Sequence, residues 1–188
     1  MKKYLLTLST ILITGSLILS GCGKETRQTI ESNDDSHTAA AGEMHHSESG
    51  ELPEGLREKN NPTYPVGSQA LMSADHMSGM KGAKAKIAGA YETTVYAVTY
   101  TPTTGGDPVQ NHKWVIHEEI QDHTDQSYVT GSEVVLSADH MKGMKGAKAT
   151  IDSAEETTVY MVDYTPTTGG DLVKNHKWVT EEELSSIQ

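Results

Sequence analysis

The eight residues "TTVYMVDY", Thr157–Tyr164, are dense in β-branched and aromatic side chains. Strand alternation puts Tyr160, Val162 and Tyr164 on one face and Met161 and Asp163 on the other. The same phrase occurs earlier as "TTVYAVTY", Thr93–Tyr100. That copy keeps Tyr96, Val98 and Tyr100 but changes the opposite face to Ala97 and Thr99, so the Tyr-Val-Tyr face is the one expected in a core. Just upstream, "GAKATI" (146–151) also alternates, with Ala147, Ala149 and Ile151 on one side. Downstream, "TPTTGGD" is a loop marked by proline and paired glycines. "HKWV" reads as a short strand, and "EEEL" as a turn or a single 3₁₀ winding.

The duplication is much longer than this phrase. Tyr64–Ile120 aligns with Tyr128–Leu184 at a constant offset of 64, without a gap, and 39 of the 57 positions are identical. Five short strands per copy, broken by glycine turns, predict an all-β chain of two tandem small barrels. Their bounds are 64–120 and 128–188, with 121–127 as linker. Strand order and short loops favour an SH3-like barrel over an OB-fold. Each copy is near the small end for independent folding, which makes an interface between the copies attractive.

Residues 1–21 read as a secretory leader: Lys2 and Lys3, an apolar run from Tyr4 to Leu19, then a small-residue junction. The run is shorter than the ~20 residues of a spanning helix. "LSGC" resembles a bacterial lipobox, making Cys22, the sole cysteine, the expected lipidation site and first mature residue. The expected location is the outer face of the cytoplasmic membrane, anchored in the lipid bilayer through acylated Cys22. Residues 22–63 then form an acidic tether of low hydrophobicity, expected to be disordered. About 40 flexible residues have an r.m.s. span of roughly 35 Å. Removing the leader takes two lysines and no acids, so the formal charge of -11 becomes -13. That surface repels nucleic acid, and no basic patch for phosphate is present.

Methionine and histidine are the unusual residues. "SADHMSGMKGAKAKI" (73–87) and "SADHMKGMKGAKATI" (137–151) each carry His-Met-x-x-Met. Met72 and Met161 occupy strand positions and read as core filler. Met77, Met80, Met141 and Met144 lie in glycine-containing, lysine-flanked segments where a turn is expected. Two thioethers beside His76 or His140 form a soft, neutral donor set that selects Cu(I), and Ag(I) by the same chemistry. Thioethers need no deprotonation and form no disulfides, which suits an extracytoplasmic site. The competing reading is a structural turn with its sulfurs packed on aromatic rings. His112 with Trp114, and His176 with Trp178, share a strand face in each copy. The histidines are candidate ligands or structural hydrogen bonders. The tryptophans are core residues in one reading and cation–π caps over a Cu(I) centre in the other. Asp75 and Asp139 either orient an imidazole or bound a turn. His117 and His123 have no counterpart in the second copy and read as surface residues. In the tether, Met44, His45 and His46 form a loose capture site for copper.

No nucleophile elbow, zinc-protease helix or phosphate loop is present, and the chain does not read as an enzyme. The segments "SADHMKGMKGAKATI", "TTVYMVDYTPTTGG" and "NHKWVTEEEL" resemble the YdhK-type lipoproteins of Gram-positive bacteria over both repeats. The acidic Met/His tether is similar to a subgroup, the CopL-like lipoproteins. That resemblance implies copper binding, an association with copper export and protection of the cell surface from copper. The expected function is Cu(I) sequestration contributing to copper resistance, with a copper exporter as partner. The alternative is a cell-wall or peptide-binding SH3-like module, in which Tyr, Trp and "TPTTGGD" line a groove and the methionines are structural.

Overall fold

The computed structural model describes residues 49–187. The leader, Cys22, Met44, His45 and His46, and most of the tether lie outside the described residues.

Eight strands make up the fold: β1 (Arg57–Glu58), β2 (Gln69–Met72), β3 (Lys84–Tyr100), β4 (Val109–Ile116), β5 (Glu133–Val135), β6 (Lys148–Tyr164), β7 (Val173–Thr180) and β8 (Leu184–Ser186). Two 3₁₀ turns, His117–Glu119 and Glu181–Glu183, follow β4 and β7. No α-helix occurs among the described residues, and none of their helices is long and apolar enough to cross a membrane. The chain is all-β, as its alternation predicts.

The strands are arranged differently from the expectation of five short ones per copy. "KATI" (148–151) and "TTVYMVDY" belong to one 17-residue strand, as do their counterparts in the first repeat. The reason is pairing: 152–156 and 88–92 hold turn-prone Asp152, Ser153 and Gly89, yet each stays extended against the other long strand, Ala154 opposite Tyr96 and Ala90 opposite Tyr160. β3 and β6 therefore run antiparallel along their whole length, from Ala85 opposite Tyr164 to Tyr100 opposite Ala149. Thr93 faces Thr157, its own counterpart in the second repeat, at the centre, so equivalent residues meet on a local twofold. The strand pairing runs β5-β6-β3-β2-β8, with β4 added to β3 and β7 to β6, and the ladder does not close into a barrel.

Opening the strand has a consequence for packing. One core joins Ala70, Met72, Met80 and Ile87 of the first repeat to Tyr160, Val162, Tyr164 and Leu184 of the second. The other joins Tyr96, Val98, Tyr100 and Ile120 of the first to Leu136, Met144 and Ile151 of the second. Each core thus takes its N-terminal half from one repeat and its C-terminal half from the other. The Tyr-Val-Tyr face is buried in both copies. A third cluster lies on the opposite face of the long strands, around Tyr91, Trp114, Met161 and Trp178. Met161 and both tryptophans are core residues there.

Candidate metal centre

The loops after β2 and β5 carry His76-Met77 and His140-Met141. Each loop is clasped by the "TPTTGG" loop of the other repeat. Thr167 donates its backbone N–H to the Gly79 carbonyl at 2.9 Å, and Thr103 donates to Gly143 at 2.9 Å. Gly79 has φ +83°, and a Cβ there would lie 2.7 Å from Pro166 and Thr168. Gly143 has φ +82°, and its Cβ would meet Thr104 at 2.6 Å. Only glycine combines that backbone with that approach.

This turn separates the two methionines of each motif. Met80 and Met144 are 0 % exposed and fill the two cores. The expectation that they face outward as ligands is corrected: the turn at Gly79 or Gly143 rotates them inward, where apolar burial holds them. Met77 and Met141 are half-buried instead. The Tyr164 hydroxyl donates to the Met77 sulfur at 3.9 Å, and Tyr100 to the Met141 sulfur at 4.0 Å. Burial pushes both phenols up, so they remain donors.

The imidazoles are oriented by glutamates from the opposite repeat. His76 Nε2 lies 2.5 Å from Glu183 Oε1, and His140 Nε2 lies 2.6 Å from Glu119 Oε1. Glu183 Oε2 also accepts from the Trp114 indole at 2.9 Å, the Thr180 N–H at 3.0 Å and the Thr180 hydroxyl at 3.1 Å. Glu119 Oε2 accepts from the Trp178 indole at 3.0 Å and the Ile116 N–H at 3.2 Å. Burial alone would raise both carboxyls. The histidine partners and the indole and amide donors outweigh it, holding Glu119 below its ordinary range and Glu183 down to about 2.

An ionised carboxylate only accepts hydrogen bonds, so the facing Nε2 of each histidine carries the proton. Nδ1 is the nitrogen left over. In both His76 and His140 it is buried without a hydrogen-bond partner. In the neutral ring it presents a lone pair, the arrangement of a carboxylate–histidine–metal triad.

His112 and His176 lie on β4 and β7. The His112 ring is 5.9 Å from Tyr100 and 6.3 Å from His140, and the His176 ring is 5.7 Å from Tyr164. His76, Met77, His112 and Met141 line a single cavity of about 320 Å³. The structure therefore brings donors of both repeats to one place. Two imidazoles and two thioethers thus share the cavity with the Asp75, Gln110 and Asn111 side chains.

Three expectations change. Asp75 and Asp139 are exposed, and the carboxylates on the imidazoles are Glu183 and Glu119. The tryptophans donate to those carboxylates, and Trp114 meets His76 edge-on at 6.0 Å. His117 is half-buried, with Nδ1 2.9 Å from the Tyr96 hydroxyl and Nε2 2.5 Å from the Thr124 carbonyl. The glutamates were missed because they sit 107 and 21 residues from their histidines in sequence. One signal was present: Thr180-x-x-Glu183 is a capping-box pattern that marks a carboxylate folded back on the chain.

The family described as a protein of unknown function (DUF1541) matches residues 66–117 and again 130–181. Over 187 residues the chain is 55 % identical to the uncharacterized protein YdhK of Bacillus subtilis (strain 168), covering 98 % of this chain and 90 % of that protein. It is similar to a crystal structure of YdhK from B. subtilis subsp. subtilis str. 168, with TM-score 0.75 and 63 % identity, over 77 % of this chain and 99 % of that one. It is also similar to a solution structure of the YdhK C-terminal domain, with TM-score 0.62 and 64 % identity, over 65 % of this chain and 92 % of that one. With both repeats matched and identity running along nearly its whole length, the chain belongs to the DUF1541 family.

Proposed function

We propose that this protein sequesters Cu(I) outside the cytoplasm, anchored to the membrane through lipidated Cys22, and contributes to copper resistance. A copper exporter fits as the partner that removes the ion. The observation that carries the reading is the cavity that gathers His76, Met77, His112 and Met141. Two features support a soft monovalent metal there. Beside Asp75, Gln110 and Asn111 the cavity offers two imidazoles and two thioethers, and that soft nitrogen and sulfur set favours Cu(I) over oxygen-seeking cations. His76 and His140 each hold a buried Nδ1 with no hydrogen-bond partner, beside a methionine in sequence. Copper is cargo in this reading, and the residues' task is to bind it and shield it from oxidation. Glu183 and Glu119 keep Nε2–H fixed, so that Nδ1 is the ligating atom. Met77 and Met141 contribute sulfur when Tyr164 and Tyr100 release it.

Anaerobic competition between the whole protein, in mild detergent, and a chromogenic Cu(I) chelator tests this. Met44→Leu, His45→Ala and His46→Ala in the background silence the tether. Met77→Leu with Met141→Leu is expected to weaken binding at least about tenfold, the effect of removing ~1.4 kcal/mol of ligation. Met80→Leu with Met144→Leu is expected to leave affinity unchanged. Equal affinity in the first double variant and the parent would reject the site.

A further inference from the structure

The two repeats make equivalent sites by sequence, yet the structure treats them unequally. On the His76 side, Asn111, His112 and Lys113 line the open cavity. Their counterparts at +64 are Asn175, His176 and Lys177. There the chain entering the fold crosses the surface. Gly50 lies against the Asn175 side chain, so that a Cβ on it would sit 3.3 Å from Nδ2. Lys177 donates its ammonium to the Glu51 carbonyl. Ser49, Glu51, Leu52 and Pro53 form one wall of a pocket whose other wall includes Asp139 and His140. Downstream, Leu56 packs on the cluster around Trp178, and β1 pairs with β3 at Tyr91 and Glu92.

Burial follows the same asymmetry at four matched positions. Trp178 is 0 % exposed against 8 % for Trp114. The Glu119 side chain is 7 % exposed against 17 % for Glu183. His176 is buried where His112 is half-buried, and Lys177 is half-buried where Lys113 is exposed. The segment on Asn175 and Lys177 accounts for part of this, and Tyr91, whose ring meets Trp178 edge-on at 5.7 Å and whose counterpart is Glu155, accounts for the rest at Trp178.

We infer that Ser49–Pro53 is a strap over the His140–His176 face, the counterpart of the face where the donor cavity opens beside His76 and His112, so that metal enters and leaves on the His76 side. The inference rests on the soft-metal reading of the cavity and adds its regulation. The strap is short, its Leu52 is exposed, and backbone contacts hold it, so local opening is the expected way to release it. In sequence it follows the segment that leads back to the expected lipid anchor.

Two measurements on the whole protein in detergent test this separately. The first needs no metal: limited acetylation of lysines, read by mass spectrometry. Lys113 is expected to react readily and Lys177 to be protected, and Gly50→Val, which crowds Asn175, is expected to bring Lys177 up toward Lys113. Equal reactivity in the parent protein would overturn the closure. The second follows imidazole nitrogens by NMR while Ag(I), a soft and redox-inert probe, is added in substoichiometric amounts. His76 is expected to respond first, with His140 lagging about tenfold if the open strap is populated at roughly one part in ten. Lys177→Ala and Gly50→Val are expected to remove most of that lag. Simultaneous response of both histidines, with Lys177 protected, would overturn the gate and leave the metal reading standing. Silence of both histidines toward Ag(I) would remove the metal reading, and the gating role with it, whatever the acetylation shows.

Discussion

Glu183 and Glu119 each do two things: they cap a 3₁₀ turn of one repeat and fix an imidazole of the other. Their chemistry gives a pH dependence with a definite sign. Glu183 is held at about 2 in the folded chain against an ordinary 4.5. A carboxyl depressed by folding stabilises the fold above its unfolded value and loses that contribution as pH falls through its folded value. Urea midpoints measured from pH 5.5 to 2 should therefore drop through this window in the parent protein. Glu183→Gln should start less stable and drop less steeply, and parallel curves would contradict the assignment. A second residue-scale prediction separates core sulfur from ligand sulfur. Met80→Ala and Met144→Ala each leave a void in a packed core and should cost about 2–5 kcal/mol by chemical denaturation. Met77→Leu and Met141→Leu conserve volume at half-buried positions and should cost less than about 1.5 kcal/mol. At this scale the sequence was half legible. His-Met-x-x-Met announced soft donors, but spacing alone does not say that the intervening glycine turns one sulfur out and the other in. That depends on Pro166, Thr168 and Thr104, which arrive from the other repeat.

At the scale of the elements, the decisive feature is the opened strand. Alternation in "GAKATI" and "TTVYMVDY" revealed both β segments and the buried Tyr-Val-Tyr face. It did not reveal that they are continuous, because alternation reports which face a residue takes and not which strand it pairs with. Asp152 and Ser153, and Gly89 in the first copy, read locally as turn residues, and only the partner strand holds these segments extended. Pairing of β3 with β6 means that neither repeat holds a complete core. A fragment spanning residues 64–127 alone should therefore associate with a second copy, rebuilding the Thr93–Thr157 crossing with two Thr93 residues. Sedimentation equilibrium should report a dimer, with β circular dichroism lost on dilution. A monomer that keeps full β signal at submicromolar concentration would show that the long strand folds back on itself as a hairpin.

Across the whole molecule, the acidic surface and the donor cavity act together. A formal charge of -11 raises the local concentration of cations near the fold, and thioether with imidazole then selects among them by softness. The charge term is screened by salt, whereas ligation is not. Raising ionic strength should slow Cu(I) uptake and weaken the apparent affinity modestly, by stopped-flow and chelator competition respectively, while the sulfur and nitrogen shell stays the same. Composition made the charge and the soft-donor bias legible from the outset. The gathering of His76, Met77, His112 and Met141 was not, because it depends on the exchange of halves between repeats. Placing Cu(I) between sulfur and imidazole nitrogen in this cavity is the central proposal. X-ray absorption at the copper edge of the Cu(I)-loaded whole protein measures that shell directly. Mixed sulfur and nitrogen scatterers are expected, with the sulfur lost in Met77→Leu/Met141→Leu, while a shell of nitrogen and oxygen alone in the parent protein would contradict the proposal.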